Sequence, residues 1–126
     1  MRRSVVAMAG AAVVLGLAAE AVAYDWDAPE RWLPDLVVGW TMLGAGIVVW
    51  AVRRARGAAV LFMVTGVTWF VGFTAATLYL HRGPLVHLLV AFAGWRPRTR
   101  LDAAAIVVGY VAAVVAPLIG SPMGVV

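Results

Sequence analysis

Residues 36–61 read LVVGWTMLGAGIVVWAVRRARGAAVL, an apolar run of 17 residues that stops at a cluster of arginines. A helix of this length rises by about 26 Å, close to the roughly 30 Å hydrocarbon core of a bilayer. Arginines directly after an apolar run are typical of the cytoplasmic end of a transmembrane helix. This stretch therefore predicts a membrane span, and the chain on both sides repeats the pattern.

The composition of the whole chain also indicates a membrane protein. Of its 126 residues, 64% are hydrophobic and 13% are charged, whereas soluble domains average roughly 45–50% and about 25%. The mean hydropathy of +0.96 excludes a water-soluble globular enzyme. The chain contains no cysteine and no lysine, which excludes disulfides, thiolate metal sites and a lysine Schiff base. Arginine, alanine, glycine and valine in place of lysine, asparagine and glutamine are typical of a GC-rich bacterial genome.

Five apolar segments, separated by polar or arginine-rich turns, predict an all-α polytopic transmembrane helix bundle that forms a single domain over residues 1–126. The fourth segment has only 12 residues. We therefore expect local thinning of the bilayer, partial burial in protein, or an earlier end of the third helix. Pro84 is expected at the first position of the fourth helix, and Asp102 at the N-cap or first turn of the fifth. The predicted spans are residues 4–23, 36–52, 58–80, 84–95 and 102–120.

The distribution of arginines predicts the orientation of the bundle. With the N-terminus in the cytoplasm, eight of the ten arginines fall in cytoplasmic segments and four of the six acids in outer loops. This bias follows the positive-inside rule and favours a bacterial plasma membrane, with the C-terminus outside. The arginines then face the lipid bilayer and its anionic headgroups, so no nucleic acid is expected as a partner. The cytoplasmic set is Arg2, Arg3, Arg53, Arg54, Arg56, Arg96, Arg98 and Arg100, and the outer pair is Arg31 and Arg82.

The N-terminal segment has a second interpretation. Arg2 and Arg3, the apolar stretch and the sequence AVA before Tyr24 also match a secretory signal with a cleavage site. The apolar stretch is long and is interrupted by Glu20. These two features favour a retained transmembrane helix over a cleaved signal.

Charged or titratable side chains inside membrane segments require a physical reason. On the predicted topology, five polar residues fall in the outer half of the membrane and can form one cluster, in which an acid pairs with Arg82. One interpretation is anchoring at the interface. The other is a sensing site, in which histidine protonation, a metal ion or a small ligand shifts the helix packing. The residues are Glu20, Thr77, His81, Arg82 and His87.

Enzyme motifs are missing from the sequence. No glycine-rich phosphate loop follows a strand, no serine nucleophile has a histidine base in context, and no carboxylate pair has a cleft-like setting. The two histidines have no recognised metal-ligand spacing. We therefore expect no catalytic residue, no metal and no other cofactor in this chain.

Small residues four positions apart predict close helix contacts. The simplest interpretation is packing within one chain, and homodimerisation is the alternative. The three faces are Ala12 with Gly16 on the first helix, Gly72 with Ala76 on the third, and Ala105, Gly109 and Ala113 on the fifth.

The run LYLHRGPLVHLL at residues 78–89, with GVTWFVG at residues 66–72 before it and Gly109-Tyr110 after it, is the most specific part of the sequence. It resembles the N-terminal multi-helix membrane region of actinobacterial two-component sensor histidine kinases, and the resemblance covers most of the chain. It implies a membrane-embedded sensory input domain for signal transduction. In that family, cytoplasmic phosphoacceptor and ATP-binding domains follow the membrane region.

The kinase core of that family is not expected in this chain. Its two histidines, His81 and His87, lie in or beside predicted membrane helices, and the ATP-binding fold needs an asparagine that the chain lacks. The resemblance therefore implies the input half of a sensor, with a kinase or another membrane protein as partner.

The alternative function is a small transporter, or an accessory subunit of a membrane complex. Small multidrug-resistance transporters are similarly short and carry a glutamate in the first helix. They have four spans, however, and their glutamate lies near the middle of the membrane, whereas Glu20 is predicted near the outer end of a helix.

Overall fold

The computed structural model is all-helical and describes residues 2–52, 56–74, 76–92 and 95–119. Arg53, Arg54 and the end of the predicted fifth span at residue 120 lie outside the described residues, as do residues 121–126. Within the described ranges there are five helices, in the order that the sequence predicts. They are α1 (Arg2–Ala23), α2 (Pro29–Ala51), α3 (Arg56–Val71), α4 (Arg82–Val90) and α5 (Arg100–Ile119).

Helices α1, α2 and α5 are each long and apolar enough to cross a membrane. They contain 22, 23 and 20 residues, and helices of this length rise by about 30–35 Å. Large apolar side chains cover their outward faces, including Val14, Val114 and Ile119. Because contiguous apolar surface of this extent is unfavourable in water, these helices indicate an integral membrane protein.

The second helix begins at Pro29, whereas the predicted span begins at residue 36. Pro29 lies at the start of α2 and Glu30 lies in its first turn, where the missing proline N–H costs little and a negative charge is favourable. The polar residues before Leu36 are therefore helical. This correction places Asp35 on α2 and not in a loop.

The third helix ends at Val71, whereas the predicted span continues to residue 80. The hydroxyl of Thr77 donates to the Val71 carbonyl at 2.7 Å, and the hydroxyls of Thr74 and Thr77 lie 2.7 Å apart. These side chains satisfy backbone groups that a longer helix would pair by itself, so they favour a series of turns. Of the three explanations for the short fourth segment, the structure has the earlier end of the third helix.

The fourth helix has nine residues and rises by about 14 Å, which is too short to cross a bilayer as a helix. Pro84 lies in its first turn and not at its first position.

The fifth helix has Asp102 in its first turn, as predicted. The Asp102 carboxylate accepts hydrogen bonds from the backbone N–H groups of Arg98 and Thr99, and the Thr99 hydroxyl accepts one from the Asp102 N–H. This reciprocal pairing caps α5.

The first three helices meet at Phe70. Its ring lies against Gly39 of α2, where a Cβ atom would collide with it, and reaches Gly16 of α1, where a Cβ atom would first meet the Trp40 indole of α2. Around this contact, Leu36 and Leu43 of α2 and Ala19 of α1 complete a buried cluster. Helix α3 therefore packs into grooves that glycines open in its two neighbours.

A second buried cluster joins α3 to α4. It consists of Ala58 and Leu61 near the start of α3 and Leu88 near the end of α4. Helix α4 packs in turn on α5, where Val86 lies against Gly109. The short helix is thus enclosed between α3 and α5.

The glycine contacts predict that a methyl group added at Gly46 would push α2 away from α3. A Cβ at Gly46 would lie 2.6 Å from Met63 Cγ and 2.9 Å from the Ala59 carbonyl oxygen, whereas a Cβ at Gly44 would meet nothing within 4 Å. Both glycines lie inside α2, so Gly→Ala gains about 0.5–1 kcal/mol of helix propensity at each. We expect Gly46→Ala to be less stable than Gly44→Ala by the overpacking cost of about 1–3 kcal/mol.

The measurement is unfolding in detergent micelles followed by circular dichroism. Gly44→Ala is the matched control, since the difference between the two variants cancels the propensity gain. Equal stability of the two variants would contradict the packing of α2 on α3.

Candidate functional site

Three polar side chains meet where α1 ends and α2 begins, and we call this site the acidic pocket: Glu20, Tyr24 and Asp35. Glu20 and Tyr24 are four residues apart, which places them on the same face. The Tyr24 hydroxyl donates to the Asp35 carboxylate at 2.8 Å. This hydrogen bond, followed by burial, raises the pKa of the Tyr24 phenol. The antiparallel pairing of α1 with α2 therefore brings two acids and a phenol together.

The carboxyl group of Glu20 is the most unusual feature of the acidic pocket. Glu20 is 4% exposed, and its Oε2 atom has no hydrogen-bond partner among the described residues. A cavity of about 40 Å³ lies beside it, and a space of this volume holds roughly one water molecule. Besides the three polar residues, the lining includes Ala19, Ala23, Trp69, Phe70, Gly72 and Phe73. An unpaired carboxyl group thus borders a small cavity that Tyr24 and Asp35 also line.

His81 and Arg82 do not line this cavity, although His81 contacts Trp69, which does. The rings of His81 and Trp69 are 4.7 Å apart between centroids. Burial, followed by the neighbouring Arg82 charge, lowers the pKa of His81, so the ring is neutral at pH 7. The Arg82 guanidinium lies 4.1 Å from the centroid of the Tyr79 ring. In the described part of the chain, Arg82 thus makes a cation–π contact where the sequence predicted an ion pair with an acid.

His87 lies apart from these residues, between α4 and α5. Its Nε2 atom is 2.7 Å from the Trp95 carbonyl oxygen, and its Nδ1 atom is 3.3 Å from the Tyr110 hydroxyl. A carbonyl oxygen can only accept, so Nε2 donates, and Nδ1 of the neutral ring accepts from Tyr110. Trp95 has a left-handed backbone, with φ of 61°. His87 therefore connects α4 both to α5 and to the segment that precedes α5.

The structure divides the predicted polar cluster into separate contacts. Glu20 lies in the acidic pocket, His81 contacts Trp69, and His87 lies on the side of α4 that faces α5. The reason is the early end of α3, because the turns at residues 72–74 and 76–81 place α4 beside α3. Thr77, the fifth member, forms part of these turns.

The predicted small-residue faces also differ in outcome. Gly72 and Ala76 follow the end of α3, and the Gly72 N–H donates to the Trp69 carbonyl in a turn, so these two residues form no helix face. On α5, Gly109 and Ala113 are buried, and Gly109 lies against Val86 of α4. Ala105 is half-buried on the same helix. The α5 face therefore packs within the chain.

Sequence reasoning missed the polar residues that share a pocket with Glu20, and it missed the hydrogen-bond partners of His87. Asp35 was expected in a loop, although the Pro29-Glu30 pair is a recognisable helix start that would have placed it on α2. Tyr24 lies one turn after Glu20, a spacing that could have paired them. No comparable signal links Tyr110 to His87, since the two residues are 23 positions apart.

The described residues contain no group of three or more histidine, aspartate or glutamate side chains that could hold a metal ion. No family model, curated protein or solved structure matches the chain. The all-helical fold and the three helices long and apolar enough to span a membrane indicate a membrane protein.

The His87 contacts predict a graded loss of stability. We expect His87→Ala to lower the free energy of unfolding by about 1–3 kcal/mol, because it removes both hydrogen bonds and leaves the Trp95 carbonyl without its donor. Tyr110→Phe removes only the longer bond, and we expect a loss of about 0.5–1 kcal/mol.

Unfolding in detergent micelles, followed by circular dichroism, measures this order. Leu89→Ala is the control on α4, because the Leu89 side chain is 70% exposed. A Tyr110→Phe loss as large as that of His87→Ala would show that the Trp95 carbonyl contact contributes nothing.

Proposed function

We propose that this chain is a membrane-embedded sensory input domain, of the kind found in the membrane region of actinobacterial two-component sensor histidine kinases. In this proposal the chain catalyses no reaction. A stimulus changes the packing of α4 against its neighbours, and a kinase partner in the same membrane reads that change. The chain works in a bacterial plasma membrane, alone or as a homodimer.

The observation that carries the proposal is the position of α4. This helix lies within the run that resembles the kinase family, and its histidines reach two different neighbours: His81 contacts Trp69 of α3, and His87 contacts Tyr110 of α5. Each such contact contributes only about 0.5–1.5 kcal/mol, so a ligand or a proton can shift the balance between two packings. A short enclosed helix with adjustable polar contacts suits a sensor better than a rigid scaffold.

The topology that we propose has five crossings and a cytoplasmic N-terminus, and the fourth crossing is made by α4 together with the chain on either side of it. Helices α3 and α5 begin with Arg56 and Arg100, and α1 begins with Arg2. A Cβ at Gly57 would lie 2.5 Å from Trp95 Cβ, so the starts of α3 and α5 belong to one end of the bundle. Because α1, α2 and α3 alternate in direction, Arg2 belongs to the same end. The positive-inside rule then supports a cytoplasmic location for this end.

Cysteine labelling tests this topology cleanly, because the chain contains no cysteine of its own. We expect Asp27→Cys and Ala76→Cys to react with a membrane-impermeant maleimide in intact cells. Arg96→Cys should react only after the membrane is permeabilised. The unsubstituted chain is the control and should show no label.

Each departure from this pattern has a defined meaning. Label on Arg96→Cys in intact cells would contradict the orientation. Protection of Ala76→Cys in intact cells would show that α3 and α4 form a re-entrant hairpin and not two crossings.

A kinase fusion tests the function. The full chain is joined through one added transmembrane helix to a kinase core, and autophosphorylation is measured in membrane vesicles over a range of pH and added solutes. We expect His81→Ala and His87→Ala to change the kinase output at least about threefold under some condition, which corresponds to a population shift of about 0.7 kcal/mol. Leu89→Ala, on the exposed side of α4, should leave the output unchanged. Identical output from all variants under every condition would overturn the proposal.

A proton-coupled transporter is the second candidate, and the unpartnered carboxyl group of Glu20 favours it. Buried carboxyl groups in membrane helices commonly take part in proton relays. Solute uptake by proteoliposomes that disappears in Glu20→Gln would favour transport over sensing.

A further inference from the structure

We propose that the acidic pocket is a proton-binding site, in which Glu20 takes up one proton from the aqueous phase beyond Tyr24 and the Tyr24–Asp35 pair adjusts the pH at which it does so. Proton binding itself does not depend on the function proposed above. The further step, that this proton is the stimulus, rests on that function.

The geometry of the cavity carries this proposal. Glu20 is 4% exposed, and its Oε2 atom borders the 40 Å³ cavity without a hydrogen-bond partner among the described residues. A carboxylate in this position would keep its charge with no donor among the described residues at that atom, which is costly. A proton removes the charge and turns the oxygen into a donor. The cavity has space for roughly one water molecule, which can accept that hydrogen bond and deliver the proton.

The groups that face Glu20 strengthen the preference for a proton. From α2, the Asp35 carboxylate faces the same cavity, and from the connecting segment the Tyr24 hydroxyl donates to Asp35. The positive charge of Arg31 on α2 opposes the rise in the pKa of the Tyr24 phenol. Two carboxyl groups around one small cavity share protons readily, because like charges at close range are unfavourable.

The third element packed against the cavity adds no charge. The end of α3 and the turn after it contribute Trp69, Phe70, Gly72 and Phe73, none of which titrates. His81, which contacts Trp69, does not line the cavity.

A metal cation fits the acidic pocket less well than a proton. Magnesium and calcium need six or more oxygen ligands, whereas the described residues contain no group of three metal-ligating side chains. A proton needs a single carboxyl oxygen, and the structure leaves one unpaired.

The walls of the cavity connect a proton on Glu20 to the rest of the bundle. Phe70 forms part of the wall and also lies against Gly39 of α2 and near Gly16 of α1. Trp69 forms another part and contacts His81. Loss of the proton would attract water to the charged Glu20 carboxylate. The added water would displace the rings of Phe70 and Trp69, and this displacement would reach α3 and the start of α4.

The test is an infrared difference titration of the purified full chain in liposomes of a neutral phospholipid, in potassium buffer without sodium. The pH is varied from about 4 to about 9, which brackets the range in which buried carboxyl groups in proteins titrate. We expect the carbonyl band of one protonated carboxylic acid to disappear as the pH rises. Glu20→Gln should lose this band entirely. Glu30→Gln, the same substitution at an exposed position of α2, should keep it.

Tyr24→Phe provides a second test that does not remove Glu20. Without the phenol, the Asp35 carboxylate loses its donor, so the pocket holds its proton more tightly. We expect the midpoint of the titration to move to higher pH. Circular dichroism of each variant establishes that the helices are retained. If Glu20→Gln fails to fold, the shift in Tyr24→Phe decides the question.

Three results would overturn the proposal. They are a band that persists in folded Glu20→Gln, a midpoint that stays in place in Tyr24→Phe, and a midpoint that moves to lower pH when sodium replaces potassium. The last of these would identify a sodium site.

The kinase fusion then separates proton binding from sensing. A pH response of the fusion that Glu20→Gln removes would make the proton the stimulus. A titrating Glu20, together with a fusion that responds to pH identically in wild type and Glu20→Gln, would refute the proton as stimulus and leave the binding site in place.

Discussion

The Phe70 ring of α3 fills the space that Gly39 leaves open on α2, beside the Trp40 indole that lies against Gly16 of α1, and the arrangement of the first three helices depends on this contact. In a bilayer, lipid tails are as apolar as leucine, so helices associate through close van der Waals packing and interhelical hydrogen bonds. Glycine allows an aromatic ring to approach the backbone of two helices at once. Since Phe70 is also part of the wall of the acidic pocket, the contact that holds α1, α2 and α3 together positions Glu20 opposite Asp35.

The end of α3 depends on a second requirement, which is that backbone polar groups in apolar surroundings must be paired. Thr77 supplies the partner for the Val71 carbonyl, and the Gly72 N–H finds one in the Trp69 carbonyl. A helix can therefore stop inside the bundle without unpaired groups at these positions. This stop creates the space in which α4 lies between α3 and α5.

The two polar regions of the protein lie on either side of this arrangement. The acidic pocket occupies the junction of α1 with α2, and His87 occupies the junction of α4 with α5. Between them, Trp69 and His81 are in ring contact. A change at the acidic pocket can thus reach the start of α4 through the contact of Trp69 with His81, and the sensor that we propose requires such a physical connection.

The sequence by itself determined the helical membrane class, the five helices in order and the first turn of α5, because apolar length, arginine placement and the Thr99–Asp102 cap are local properties. The tertiary structure alone decided where α3 ends, that Asp35 belongs to α2, and which side chains meet Glu20 and His87. Helices that are apolar on every face carry no periodic signal to show which side is buried. Contacts such as His87 with Tyr110 join residues distant in the chain, so only the packing of the helices brings them together.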